Sequence, residues 1–465
     1  CESNPLMPFS SPQICSSDTL SDDVEVTLPI SNFADDLSLR IQMASNFDHG
    51  IDCASHNADW SLCYSQLFVF EYAGNEAYTD NNFAIYFSSI HRLLHVDHPD
   101  FEHGHVVGDL TYIQPTASFK GFEPSSEIIL PVVFEYWSVQ ESDKMPRFFV
   151  VDSRDDSTAV IPNTDTEDLH DFVIPYTSSM KTEGDNNVPM TAEKRHERNS
   201  MQLEKGEEMD TSTRIIPTPF RVEVGEAVQT FDVDGVSLIN ADLLGKLQSG
   251  AEELISTITM KPTSTTEYSV ELIIGTLPED IAGTESYTME ITAQGTTIIA
   301  SHAAGLFYGV MSFVGLLDIT NGMESMPVKE MTIYDKPRFD YRGHQIDSAR
   351  NFRTKESVMQ TIDAMALYKL NNLHFGLSND EGWRLEIPGM EELTTVGSRR
   401  CFDLSEETCI LTQLGSGPDA SDEPQFYSVA DFVEILKYAE ARNVKVAPEF
   451  NMPGHARAAV VSMEA

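Results

Sequence analysis

From Tyr341 onward the 465-residue chain repeats one unit, a short strand followed by an amphipathic helix, and this repeat limits its fold more than any other feature. Tyr341–Asp347, Asn372–Leu377 and Val444–Phe450 read as strands. Between the first two, Thr354–Leu370 places Val358, Ile362, Met365, Ala366 and Leu370 on one helical face. Before the third, Ser428 with Asp431 three residues on forms a capping signal, and the helix it starts has a predicted buried stripe of Val429, Phe432, Val433, Leu436 and Ala439. Strands joined through helices pair in parallel with right-handed crossovers, and such sheets carry their chemistry at the carboxyl ends of the strands. A complete (β/α)8 TIM barrel takes about 250 residues. Residues 336–465, opened by the Lys336-Pro337-Arg338 breaker, are therefore expected to form the first half of one, a partial catalytic domain.

Upstream the pattern differs. Val24–Leu28, Leu37–Ile41, Phe83–Phe87 and Phe148–Val151 are β-branched or aromatic runs separated by Gly- and Asp-rich breaks, so 23–175 is expected to be a β-sandwich. Residues 176–213 turn to Lys, Glu, Asn, Met and Ser and read as a linker with room for one polar helix. In 214–335, strands at Ser269–Ile274 and Tyr287–Thr292 precede a predicted amphipathic helix marked by Ala303, Leu306, Phe307, Val310, Phe313, Val314 and Leu317. That is an α+β domain preceding the barrel. Residues 1–22 read as an N-terminal tether.

Charge narrows the partners. Thirty Lys and Arg against 74 Asp and Glu give a net charge of −44, a field that repels nucleic-acid phosphates and anionic membrane surfaces. No run of 18 apolar residues appears, so no transmembrane helix is expected. Cys53 with Cys63, and Cys401 with Cys409, are spaced for local disulfides in an oxidising compartment; free thiols in a cytosolic protein are the other reading, and the spacing suits no metal site. Cys1, followed by the polar Glu2-Ser3-Asn4, fits the acylated start of a lipoprotein, periplasmic or on an outer membrane; a secreted protein with a Cys1–Cys15 disulfide, or an arbitrary chain edge, fits as well.

Ionisable residues gather where the barrel strands end. The first strand runs into Asp347-Ser348-Ala349-Arg350-Asn351-Phe352, the second into Asn379-Asp380-Glu381-Gly382-Trp383-Arg384, and the third into Pro448-Glu449-Phe450-Asn451 and Met452-Pro453-Gly454-His455. An arginine that can fork onto hydroxyls and a histidine that can orient or exchange protons point to a polar small-molecule pocket. Taken singly, Arg350 has another reading as a surface ion pair, His455 as a core histidine, and Asp380 or Glu381 as a turn cap.

These motifs, with Asp335-Lys336-Pro337-Arg338-Phe339-Asp340-Tyr341-Arg342-Gly343, Ile362–Asn371 and Met452–Ala459, resemble the opening of the catalytic barrel of family 20 glycoside hydrolases, and more narrowly bacterial chitobiases, which are β-N-acetylhexosaminidases. Ile85–Ile90, Gln114–Gly121 and Thr164–Asp168 resemble the amino-terminal carbohydrate-binding-like domain of chitobiases, and Gly305-Leu306-Phe307-Tyr308-Gly309 the small domain before the barrel. The resemblance implies removal of terminal β-linked N-acetylhexosamine from chitobiose and chitin oligosaccharides, with the 2-acetamido oxygen of the sugar as nucleophile. It implies no cofactor and no metal. Arg350 matches the arginine that grips hydroxyls of the terminal sugar, His455 the histidine that supports the general acid, and Asp380 and Glu381 acidic residues near that relay and the pocket. The general acid Glu and its Asp neighbour, carried on the fourth strand's end in the family, match no residue here, so the 465-residue chain is expected to be inactive alone. Asn379 and Asn451 stand where many members have Asp, and Gly376 where a His is common. Those departures keep open an alternative, a non-catalytic carbohydrate-binding protein with a decayed barrel.

Overall fold

The computed structural model describes residues 29–46, 52–138, 140–176, 196–197, 199–200, 215–224, 230–233, 235–259, 268–317, 326–419 and 425–464. The predicted tether, the Val24–Leu28 strand, Cys1 and Cys15 lie outside these residues, as does most of the 176–213 linker, of which 196–197 and 199–200 are helical.

Alternating apolar residues build a sandwich of two antiparallel sheets. One has four strands in the order Leu37–Ser45, Cys63–Tyr72, Ser126–Glu135 and Leu93–Val96; the other has five, Phe101–Val107, Leu110–Pro115, Phe83–Ser88, Phe149–Asp152 and Thr158–Val160. Leu39, Phe68, Phe70, Ile85, Ile113, Val132 and Val150 fill the space between them. Phe83–Ser88 is buried on both faces. Its second face, Ala84 and Tyr86, is covered together with Phe149 by Phe402 and Leu411 of the third domain, which explains an apolar run without alternation. Cys53–Cys63 and Cys401–Cys409 are both disulfide-bonded.

The middle domain is a six-stranded mixed sheet in the order Arg221–Val224, Met331–Asp335, Tyr287–Thr292, Gly295–Ala300, Tyr268–Ile274 and Val236–Ile239. The helix Ala303–Leu316 is not amphipathic as predicted: residues 305–314 are all buried. Its sheet-facing side approaches closely at Gly305, where a Cβ would lie 2.3 Å from the Ser286 carbonyl oxygen. Its opposite side meets the third domain, where Ala366 joins the same core and Asn443 donates a hydrogen bond to the Tyr308 hydroxyl (2.9 Å). A buried Lys369 completes the junction by donating to Asp335 (2.8 Å) and to the Tyr287 hydroxyl (3.1 Å).

In the third domain three parallel strands, Gly343–Asp347, Asn372–Asn379 and Lys445–Phe450, lie side by side with the middle one central. Among the described residues no strand pairs with the outer edge of Lys445–Phe450. The helix Lys355–Leu367 is capped by Thr354 and buries Val358, Ile362, Met365 and Ala366. The helix Val429–Glu440 begins with the Ser428–Asp431 capping box. Its buried stripe differs from the predicted one: Ile435 and Ala439 are buried, whereas Val429, Val433 and Leu436 are 43%, 40% and 39% exposed. The helix is rotated so that Phe432, Ile435 and Ala439 meet the core of Phe375, Leu373 and Ile362, and Tyr438 reaches Asp363. Apolar residues covered a wide arc of that helix, so periodicity alone did not select the packed side.

Candidate active site

Side chains alternate across a strand, and parallel neighbours in register share a face. Leu373, Phe375 and Leu377 pack toward the helices. Gln345, Asp347, His374, Gly376 and Glu449, paired in register, therefore share the other face of the sheet. At the carboxyl ends of the strands this face leads into the predicted residues.

Arg350 sits at the first strand's end and is held from three sides. Its Nη1 donates to Asp347 (2.6 Å), its Nε to Glu381 (3.3 Å) and its Nη2 to the Asn379 side-chain carbonyl (3.2 Å). Burial opposes its charge, but the Asp347 and Glu381 carboxylates outweigh that and hold its pKa above the ordinary value. A guanidinium has five N–H donors, so this arrangement fixes the fork and leaves donors for a ligand. The side chain is 41% exposed, which keeps them reachable.

The second pair lies between the second and third strands. His455 Nδ1 is 2.9 Å from Asp380 Oδ2, while Asp380 Oδ1 accepts the Arg457 backbone N–H (3.0 Å). Nε2 of His455 has no hydrogen-bond partner among the described residues, and the ring is 63% exposed. A carboxylate on one ring nitrogen fixes the tautomer and the orientation of the ring. Asn379 joins the two pairs, since its Oδ1 accepts from Arg350 and from the Asp380 backbone N–H (2.9 Å). Asn451 ties the strands together: its Nδ2 donates to the Ser378 carbonyl and its N–H to the Ser378 hydroxyl, both at 3.0 Å. A Cβ on Gly376 would lie 3.3 Å from the Ile346 carbonyl, a tight approach, and in ordinary contact with Asp347 Oδ1 at 3.6 Å.

Other residues of the site carried no role in the sequence reading. Arg384, 1% exposed, donates to the carbonyls of Ser348, Ala349, Ser398 and Gln425, and Arg400 donates to those of Ala349, Arg350 and Glu381. Burial lowers the pKa of Arg384 to about 9. Both clamp the backbone on which Arg350 rides. Asp109, from the turn between two sandwich strands, accepts the Leu414 N–H (2.7 Å), and burial raises its pKa to about 6. His374 and Glu449 face each other at 2.6 Å on the strand face below the site. A strand-position count would have put those two on one face, but the clamping arginines bind carbonyls and have no sequence signal. A cavity of about 900 Å³ opens beside Arg350, lined by Asn351, Phe352, Arg384 and Arg400 with Arg147 and Glu167 of the sandwich. Among the described residues no group of three or more His, Cys, Asp or Glu is arranged to hold a metal ion.

At the strand ends of the parallel strand–helix domain, behind the β-sandwich, stand a forked arginine and a carboxylate-braced histidine. Comparison with known proteins gives the family. Residues 339–465 match the catalytic domain of glycosyl hydrolase family 20, residues 212–336 its domain 2, and residues 36–193 a family described as "Putative carbohydrate binding domain". The chain belongs to glycosyl hydrolase family 20. It is 40% identical over 445 residues to the N,N'-diacetylchitobiase of Vibrio harveyi, covering 94% of this chain and 49% of that one, and 36% identical over 430 residues to a beta-hexosaminidase of Vibrio vulnificus, covering 89% and 49%. It thus spans about half the length of these relatives. The solved structure of a Vibrio harveyi family 20 exo beta-N-acetylglucosaminidase with N-acetylglucosamine shares the fold, with a TM-score of 0.68 at 19% identity over 92% of this chain and 59% of that one. No helix among the described residues is long and apolar enough to cross a membrane.

Proposed function

We propose that this chain serves the hydrolysis of terminal, non-reducing β-linked N-acetylhexosamine from chitobiose and short chitin oligosaccharides. The observation that carries this reading is Arg350, its fork fixed by Asp347, Glu381 and Asn379 while donors remain for sugar hydroxyls. The reaction is a substrate-assisted, retaining one. The 2-acetamido oxygen attacks the anomeric carbon as a general acid protonates the departing glycosidic oxygen, and water then opens the cyclic intermediate to the hemiacetal of unchanged configuration. Arg350 grips the terminal sugar, and Asp380 orients His455 so that its Nε2 supports the acid. Glu381 keeps Arg350 in place. The acid Glu and the Asp beside it, which polarises the acetamide, match no residue of this sequence. The partial sheet is read as the opening of a (β/α)8 barrel. Two disulfides favour a periplasmic or secreted location, since such bonds persist in oxidising compartments.

The 465-residue chain is accordingly expected to bind N-acetylglucosamine but not to release nitrophenol from 4-nitrophenyl N-acetyl-β-glucosaminide. Turnover above the buffer rate that Arg350→Ala abolishes would show the acid to be among the residues present. Failure of the chain to bind the sugar by calorimetry would remove the reading of Arg350.

A further inference from the structure

Trp60 is 80% exposed, more than any other large apolar residue among those described, and it stands on the sandwich, on the loop closed by Cys53–Cys63. Its surroundings hold it there. Asn57, Trp60, Ser61 and Tyr136 all have left-handed backbone, with φ of 57°, 54°, 55° and 65°. Side chains this large rarely adopt that conformation unless the surrounding structure imposes it, and such strain concentrates at binding sites. The Tyr136 ring backs Trp60 edge-on at 5.7 Å, and the Tyr136 backbone N–H donates to the Leu62 carbonyl (2.9 Å). Glu135 accepts from the Asp59 N–H (2.6 Å) and from Arg92 Nη2 (3.0 Å), whose guanidinium also donates to the Asn57 carbonyl. The Tyr136 hydroxyl donates to Asp59 Oδ2 (3.2 Å), and Oδ1 has no hydrogen-bond partner among the described residues.

We propose that Trp60 is a stacking platform for the pyranose rings of chitin, with Asp59 and Arg92 at its rim meeting hydroxyl and acetamide groups. A flat, electron-rich ring presents its face to the C–H face of a sugar, and a platform already fixed by a disulfide and strained backbone loses little entropy on binding. The choice of an uncharged polysaccharide follows from the net charge of −44, which disfavours polyanions. This site is on the sandwich, so it stands or falls apart from the reaction proposed for the third domain.

The test is retention of the 465-residue chain on insoluble chitin beads, beside a fluorescence titration with soluble chitotriose. Wild type is expected to be retained, Trp60→Ala to bind roughly tenfold or more weakly and Trp60→Tyr to recover most of the binding. Of the three tryptophans Trp383 is only 7% exposed and Trp137 is partly buried, so most of the acrylamide-accessible emission is that of Trp60 and chitotriose should shield it. That readout needs no variant. Undiminished retention of folded Trp60→Ala, or absence of retention and shielding in wild type, overturns the proposal. So does a wild-type dimer that Trp60→Ala makes monomeric without chitin retention, which would make the patch a self-association surface.

Discussion

Arg350 is held by geometry as much as by charge, and its three anchors fix the direction in which the remaining donors point. Lysine keeps the charge but presents a single, freely rotating ammonium. Arg350→Lys is therefore expected to weaken N-acetylglucosamine binding by roughly 10- to 100-fold, the loss of one or two charge-assisted hydrogen bonds, with calorimetry as the measurement. Asp109 supplies a pH dependence. Its folded-state pKa of about 6 lies above the unfolded value of about 3.9, so the folded state binds the proton more tightly. Its contribution is then most favourable below about pH 4, declines as pH rises toward about 6 and stays low above that. Asp109→Asn keeps an acceptor for Leu414 and does not titrate. It should be more stable than wild type by about 2 kcal/mol at pH 7 and equal to it near pH 4, as read from denaturant midpoints. That Arg350, Asp380 and His455 stand at strand ends was legible because periodicity marks where the strands stop. Asp109 was not, because its partner lies 305 residues away, and neither were Arg384 and Arg400, whose partners are backbone carbonyls.

Among the elements, the helix Ala303–Leu316 shows where pattern reading fails. Its apolar positions predicted a helix, which forms, but not that residues 305–314 are enclosed on all sides. Alanine at Gly305 would favour an isolated helix by about 1 kcal/mol. Here the added Cβ meets the Ser286 carbonyl oxygen at 2.3 Å and the Ala300 Cβ at 2.8 Å. Gly305→Ala should thus lower stability by a net of about 1–3 kcal/mol, and a thermal melt equal to or above wild type would show that the helix can move away from the sheet. The helix Val429–Glu440 gives the complementary case. Its start was legible because a capping box is local, whereas its rotation was decided by Phe375 and Ile362, which sequence spacing does not place.

At the scale of the molecule the sandwich and the third domain share a core. Phe402, on the loop closed by Cys401–Cys409, stands 4.8 Å from the Tyr86 ring and 5.7 Å from that of Phe149. The same segment carries Leu414, which Asp109 holds, and Arg400, which clamps the carbonyl of Arg350. The sandwich is thereby linked to Arg350 through one loop. Phe402→Ala should cost about 2–4 kcal/mol and let the sandwich melt apart from the rest. Calorimetry would show this as a new, separate transition, and an unchanged single transition would count against the link.

By itself the sequence determined the three-part order, the parallel strand–helix repeat, the strand-end residues and the resemblance to family 20 glycoside hydrolases. These are written in local periodicity, capping chemistry and motif spacing, which tertiary context does not alter. Only the tertiary structure decided which helix face is buried, why Phe83–Ser88 is apolar on both sides, and that Arg384, Arg400 and Asp109 hold the site from behind. Each depends on surfaces far apart in the chain being covered together, and a backbone carbonyl or a buried face leaves no mark on the identity of the residue that carries it.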